Sequence, residues 1–191
     1  MGKKGSSGIK THSVHTDNCN FASKVKLRAD AVASLPYVNV LDCFAGENRL
    51  WKEIPHNDYY GIEKEAGKGT NLNADNLRVI KSLDLSRFNV IDLDSYGTPI
   101  DQILALYDNE TLQKGTIIFY TCITGVISGP NKRIVDMFNM YNMMRKARTL
   151  VNNQIHRVFY GFLYKMGVRK IVEFTDNSKK TFQKKYGYFI V

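Results

Sequence analysis

Carboxylates stand where the apolar runs of the first hundred residues end. Asp42 follows "YVNVL", Glu63 follows "DYYGI", Asp75 precedes the short run "NLRVIKSL", and Asp92 and Asp94 close "NVIDLD". Acids at the ends of buried strands are costly unless something uses them. In open α/β sheets, ligands bind outside the carboxyl ends of the strands. The spacing therefore predicts that these acids share one rim of a sheet. The turn "DCFAGENRL" carries Gly46, which lets the chain bend sharply and a ligand approach the backbone. Neither G-x-G-x-x-G nor G-x-x-x-x-G-K-[ST] is present. A lone glycine flanked by acids fits a ligand without phosphates, including one that carries positive charge. Glu63 lies about 20 residues beyond that turn, the distance at which an acid accepts ribose hydroxyls. Its simpler reading is an exposed strand-end charge paired with Lys64 or Lys68.

The elements that position these residues follow from periodicity. "FASKVKLRADAVASL" has a helical stripe of Val25, Leu27, Ala31, Val32 and Leu35, closed by Pro36. "YVNVLD" is a strand and "ENRLWKEI" a helix whose first N–H groups face the ligand. "DYYGIEKE", "FNVIDLD" and "GTIIFYTCIT" are strands, and "PIDQILALYDN" is a helix. Residues 131–166 read as helix broken near Thr149. "VRKIVEFTDN" and "KYGYFIV" are terminal strands with too short a connection for a parallel crossover, so they form a hairpin. Strands alternating with helices predict α/β layers around a mostly parallel sheet.

Composition bounds the rest. The chain has 191 residues, 43% of them hydrophobic, enough for a substantial core. No apolar run approaches the roughly 18 residues of a membrane span, and the basic start "MGKKGSSGIKTH" has no signal-peptide core. Cys19, Cys43 and Cys122 are too few for a disulfide framework or zinc knot, so a reduced, cytoplasmic protein is expected. Residues 1–20 read as a flexible basic arm and 21–191 as one domain. Net charge is +9, and residues 131–191 hold 13 basic against three acidic residues. This asymmetry favours a polyanion, and nucleic acid is the expected partner. Lys24, Lys26 and Arg28 are candidate phosphate contacts. Arg145, Lys146, Arg148 and Arg157 form either a second phosphate stripe or a solvated face.

"VLDCFAGENRLW", "YGIEKE", "NADNLRVIKSL" and "VIDLDSYGTP" occur in the order of the motifs of class I S-adenosylmethionine-dependent methyltransferases, which residues 38–122 resemble. The resemblance implies a Rossmann-like fold: a mostly parallel seven-stranded sheet, helices on both faces, and a C-terminal antiparallel hairpin. It implies S-adenosyl-L-methionine as cofactor. The turn Asp42–Gly46, with Phe44 and Ala45, would hold its methionine part, Glu63 its ribose, and Asp75 with Asn76 its adenine. "DSYGTP" is similar to the Asp-Pro-Phe-Gly-Ser/Thr-Pro stretch of tRNA guanine-N2 dimethyltransferases, and more distantly to the Asp/Asn-Pro-Pro-Tyr/Phe motif of amino-group nucleic-acid methyltransferases. Ser95 replaces the proline, and Asn48 stands where the first motif often has its last glycine.

On that resemblance, Asp94 accepts an N–H of an exocyclic base amine, localises its lone pair and takes its proton. The Ser95 carbonyl assists, and Tyr96 stacks on the base. Asp92, on the same strand face as Asp94, is expected to be structural, bonded to backbone or a loop. The resulting expectation is methyl transfer to a base amine, RNA ahead of DNA. An inactive, cofactor-binding relative that binds nucleic acid is the alternative. A nicotinamide oxidoreductase is disfavoured by the missing G-x-G-x-x-G. A metal on Asp92 and Asp94 would need further ligands, and Cys122 as nucleophile would need a histidine partner.

Overall fold

The computed structural model describes residues 20–66, 68, 70–125, 132–176 and 182–191. The expected basic arm, with His12, His15 and Cys19, lies outside them apart from Asn20. Helix α1 (Phe21–Val32) precedes β1 (Asn39–Asp42), α2 (Arg49–Lys52), β2 (Asp58–Glu63), β3 (Leu72–Asn73), α3 (Asn76–Ser82) and β4 (Val90–Leu93). Then follow α4 (Ile100–Tyr107), β5 (Ile117–Gly125), α5 (Lys132–Met137), α6 (Tyr141–Asn153), α7 (Ile155–Lys165), β6 (Ile171–Asp176) and β7 (Phe182–Ile190). The seven strands form one sheet in the order β3-β2-β1-β4-β5-β7-β6. Pairing is parallel from β3 to β5, while β7 runs antiparallel to both β5 and β6. The parallel sheet with its terminal hairpin is the expected architecture. The strand order reverses between β1 and β4, which places a crevice at their carboxyl ends.

Side chains alternate between two unequal layers. Leu41, Ile91, Leu93, Ile118 and Tyr120 pack with residues of α3 to α7, such as Ile80, Ile103, Val151 and Phe159. Val40, Val90, Ile117 and Phe119 pack with Val32 of α1 and Trp51 of α2. By the two-residue period of a strand, Asp42, Asp92, Asp94 and Thr121 all fall on this thinner side, beneath α1. All four residues of β4 are buried, as a central parallel strand requires.

Three elements depart from expectation. Residues 131–166 are not one helix broken near Thr149. α5 ends before Asn139, whose φ is +49°, and α6 is kinked at Ala147, with φ −144°. The helix after the first turn spans only Arg49–Lys52, too short for a useful field of N–H groups. The two residues of β3 carry no periodic signal; they exist because Ile62 and Glu63 pair with them.

Gly61 sets how closely β2 approaches the first turn. A Cβ there would lie 2.9 Å from the Ala45 Cβ and 2.9 Å from the Tyr59 ring and hydroxyl. Gly61→Ala should therefore cost about 1–3 kcal/mol as an overpacking change. Urea denaturation reads the cost; an unchanged midpoint would mean the turn yields freely.

Candidate active site

Lys24 and Arg28 lie four residues apart on α1, on one helix face. Arg28 donates to Asp92 twice, Nε to Oδ2 at 2.6 Å and Nη2 to Oδ1 at 2.8 Å. The Trp51 indole adds a third bond to Asp92 Oδ2 at 2.8 Å. Lys24 Nζ donates to Asp94 Oδ2 at 2.7 Å, and the Thr121 hydroxyl donates to Asp94 Oδ1. The steps match: four helical residues rise about 6 Å and two strand residues about 6.6 Å. Arg28 is 2% exposed and Asp92 1%. Asp92 is structural as expected, but it is bonded by side chains rather than by backbone or a loop.

This corrects two of the expected phosphate contacts. Arg28 is buried and committed to Asp92, and Lys24 is turned inward to Asp94. Lys26 is exposed and pairs with Asp30 at 2.7 Å. Arg145 and Arg148 are exposed on α6.

A cavity of about 310 Å³ opens at the carboxyl ends of the strands, within the roughly 300–1,000 Å³ of small-molecule sites. Asp42, Phe44, Ala45, Gly46, Glu63, Asp94, Ser95 and Tyr96 all line it. Asp75 and Asn76 do not. Asp75 caps α3, accepting Arg78 N–H at 3.3 Å, and Asn76 donates to the Cys43 carbonyl at 2.9 Å behind the turn. Lys24, Thr121, Lys184 and Tyr186 also line the cavity. Of these only Lys24 had a signal in sequence, the i, i+4 pairing with Arg28 ahead of two acids at i, i+2.

The first turn is tied down by acids. Asp42 accepts Phe44 N–H at 3.0 Å and the Tyr59 hydroxyl at 3.1 Å. Glu63 accepts Gly46 N–H at 3.0 Å, Lys64 N–H at 2.7 Å and Glu65 N–H at 3.1 Å. Three of its roughly four acceptor positions are used, leaving one for a hydroxyl donor. Gly46 (φ +52°) and Asn48 (φ +55°) are both left-handed. That explains the departure at Asn48, since asparagine is among the few side chains that tolerate this region.

The segment after β4 turns at once. Ser95 N–H donates to the Leu93 carbonyl at 2.7 Å, closing a three-residue turn around Asp94. The proline of the resembling motifs could not donate this bond. The Ser95 hydroxyl is buried with no partner among the described residues. Tyr96 is 83% exposed at the cavity rim.

One charge cluster moves two acids in opposite directions. Burial, reinforced by Asp92 across the strand pair, lifts the Asp42 carboxyl well above the ordinary range. Burial would also lift Asp94, but Arg28 and Lys24 outweigh it and hold Asp94 below the ordinary value. Asp94 thus stays an anion that accepts hydrogen bonds and stabilises positive charge. Its lowered pKa makes it a weaker base than an ordinary aspartate. Arg28 and Lys24 occupy the carboxylates a divalent metal would need. Burial pushes the Cys122 thiol up to about 12, which makes it no nucleophile at neutral pH.

No protein-family model and no curated protein sequence matches the chain. Solved structures resemble it. Trm1 from Pyrococcus horikoshii, in complex with S-adenosyl-L-methionine, superposes with a TM-score of 0.51 at 14% identity, over 91% of this chain and 56% of that one. The N-methyltransferase NodS from Bradyrhizobium japonicum gives 0.50 at 14% identity, over 92% and 98%. A Listeria monocytogenes protein proposed to be a class I S-adenosylmethionine-dependent methyltransferase gives 0.50 at 14% identity, over 96% and 62%. The chain has the Rossmann-like methyltransferase fold. It spans less than two thirds of the Pyrococcus and Listeria chains, and identities this low show the fold alone.

Two stability measurements test the cluster. Arg28→Met should destabilise by about 3–5 kcal/mol, because it strands a buried carboxylate. The folded protein keeps Asp94 ionised to lower pH than the unfolded chain does. Its contribution is therefore complete above the ordinary aspartate pKa of about 3.9 and drains away as pH falls through the lowered folded value. Asp94→Asn should flatten the loss of stability between about pH 5 and pH 2. An acid limb unchanged in denaturation curves would contradict the lowered value.

Proposed function

We propose that the chain is an S-adenosyl-L-methionine-dependent methyltransferase acting on an exocyclic amine of a nucleic-acid base, with RNA, including tRNA, ahead of DNA. Residues 21–191 would form its catalytic domain. The observation that carries this reading is convergence: Asp42, Glu63 and Asp94, distant in sequence, line one cavity whose rim is the exposed Tyr96.

The residues present fit the cofactor. Glu63 retains an acceptor position suited to a ribose hydroxyl on the cavity wall. When bound, the cofactor supplies an electrophilic methyl on a sulfonium. Asp94 accepts an amine N–H with a lone pair that Lys24 and Thr121 leave open, which localises the amine lone pair for attack. Its negative charge favours the positive charge that develops on nitrogen. The proton that the attacked nitrogen sheds passes to solvent, directly or by way of Asp94. Tyr96 offers a stacking face worth roughly 1–3 kcal/mol per base, and a base within a duplex would have to be flipped out to reach it. The turn around Asp94, closed by Ser95 N–H, fixes the carboxylate's direction. The exposed Lys26, Arg145 and Arg148 remain available for phosphates, and the strongly basic C-terminal third supports a polyanionic partner. The motif resemblance supports tRNA among the RNA substrates.

One observation favours a second reading, a cofactor-binding relative with little turnover that serves as a nucleic-acid-binding module: Lys24 already occupies Asp94.

Calorimetry with S-adenosyl-L-methionine and transfer of tritiated methyl to bulk RNA and DNA decide between them. Asp94→Ala should keep cofactor affinity and lose at least about 100-fold in turnover. Loss of both would contradict its role. Cofactor binding without transfer to any substrate would favour the binding module.

A further inference from the structure

The Lys24 ammonium lies in a built environment. Its Nζ is 2.7 Å from Asp94 Oδ2 and 4.6 Å from the centroid of the Tyr186 ring. The Lys24 side chain is only 12% exposed, and Tyr186 is 2% exposed. Neither wall is loose. The Thr121 hydroxyl holds the other carboxylate oxygen, and Phe174 packs on Tyr186 with centroids 5.1 Å apart. A carboxylate beside an aromatic face is a recognition pair for an ammonium ion. Both groups line the cavity into which the target amine would enter.

We propose that Asp94 and Tyr186 form an ammonium-binding subsite, and that Lys24, by filling it, restricts the cavity to neutral amines. Alkylamines are protonated at neutral pH, with a pKa of about 10.4 for a lysine side chain. Such a cation meets a carboxylate oxygen already paired with Lys24, with Arg28 Nη2 3.8 Å from the same oxygen. Like charges repel it, and the aromatic face is taken. A base amine is neutral because its lone pair is delocalised into the ring. It needs only an acceptor position, and Asp94 has two to spare. Lys24 is thus a specificity-determining residue. This consequence rests on the amine-methylation reading above, whereas the subsite itself does not.

The test is calorimetric titration of n-butylammonium chloride, with n-butanol as the neutral control, into the full chain and its variants. Lys24→Ala should bind n-butylammonium at least about tenfold tighter than the wild type does and discriminate against n-butanol. Adding Asp94→Asn to Lys24→Ala should abolish the gain. Equal binding by wild type and Lys24→Ala, or a gain that survives Asp94→Asn, would overturn the subsite. If Lys24→Ala does not fold, Lys24→Gln is titrated in its place. On the wild type, reductive methylation should modify the exposed Lys26 and spare Lys24; equal rates would overturn the proposal. None of these readouts requires methyl transfer, so the subsite and the enzymatic reading fail separately.

Discussion

Two cations one helical turn apart meet two carboxylates one pleat apart, and the site depends on that match. Asp92 and Asp94 project from a central strand into the layer between the sheet and α1. An ion buried without a partner costs several kcal/mol, so β4 could not carry these acids beneath an apolar helix. Lys24 and Arg28 offset the cost at a spacing that reaches both. The pairing also orients α1, which must run antiparallel to β4 for Lys24 to face Asp94 and Arg28 to face Asp92. Trp51 completes the arrangement from α2, so both elements of the thin layer are anchored to one carboxylate.

The same cluster divides labour among chemically identical groups. Asp42, paired in register with Asp92, lies where burial and a neighbouring anion favour its neutral form. Asp94 lies within reach of two cations and stays ionised. Environment, rather than residue type, thus makes one acid a structural hydrogen-bonding group at the first turn and the other a fixed negative charge in the cavity. Glu63 takes a third role, accepting three backbone N–H groups that hold Gly46 and the end of β2 in place.

The cavity follows from the unequal layers. Helices α3 to α7 fill one face with a continuous apolar core, and among the described residues the other face carries α1 and α2. Among the described residues, this layer of two helices leaves the carboxyl ends of β1, β4 and β5 partly uncovered. Phe21 and Lys24 of α1 and Leu50 of α2 reach the cavity edge. Close approach of β2 to the first turn, permitted by Gly61, brings Glu63 within bonding distance of Gly46.

Most of the order of strands and helices, the terminal hairpin and the convergence of Asp42, Glu63 and Asp94 on one rim were legible in the sequence, whereas β3 and the breaks at Asn139 and Ala147 were not. The legible features follow from local periodicity, connection length and the rule that open α/β sheets bind ligands at the carboxyl ends of their strands. Asn48 looked like a departure from a motif until its left-handed backbone showed why asparagine suffices there. The direction in which Lys24 and Arg28 point was not legible. A basic residue on an amphipathic helix reads the same whether it faces phosphate or a buried acid, because local periodicity says nothing about what packs across from it. For the same reason Tyr186 and Thr121, from strands far along the chain, joined the cavity only in three dimensions, and Asp75 and Asn76 left it. Residue types determined which charges this protein carries; the packing of α1 on the sheet decided which of them are spent on one another.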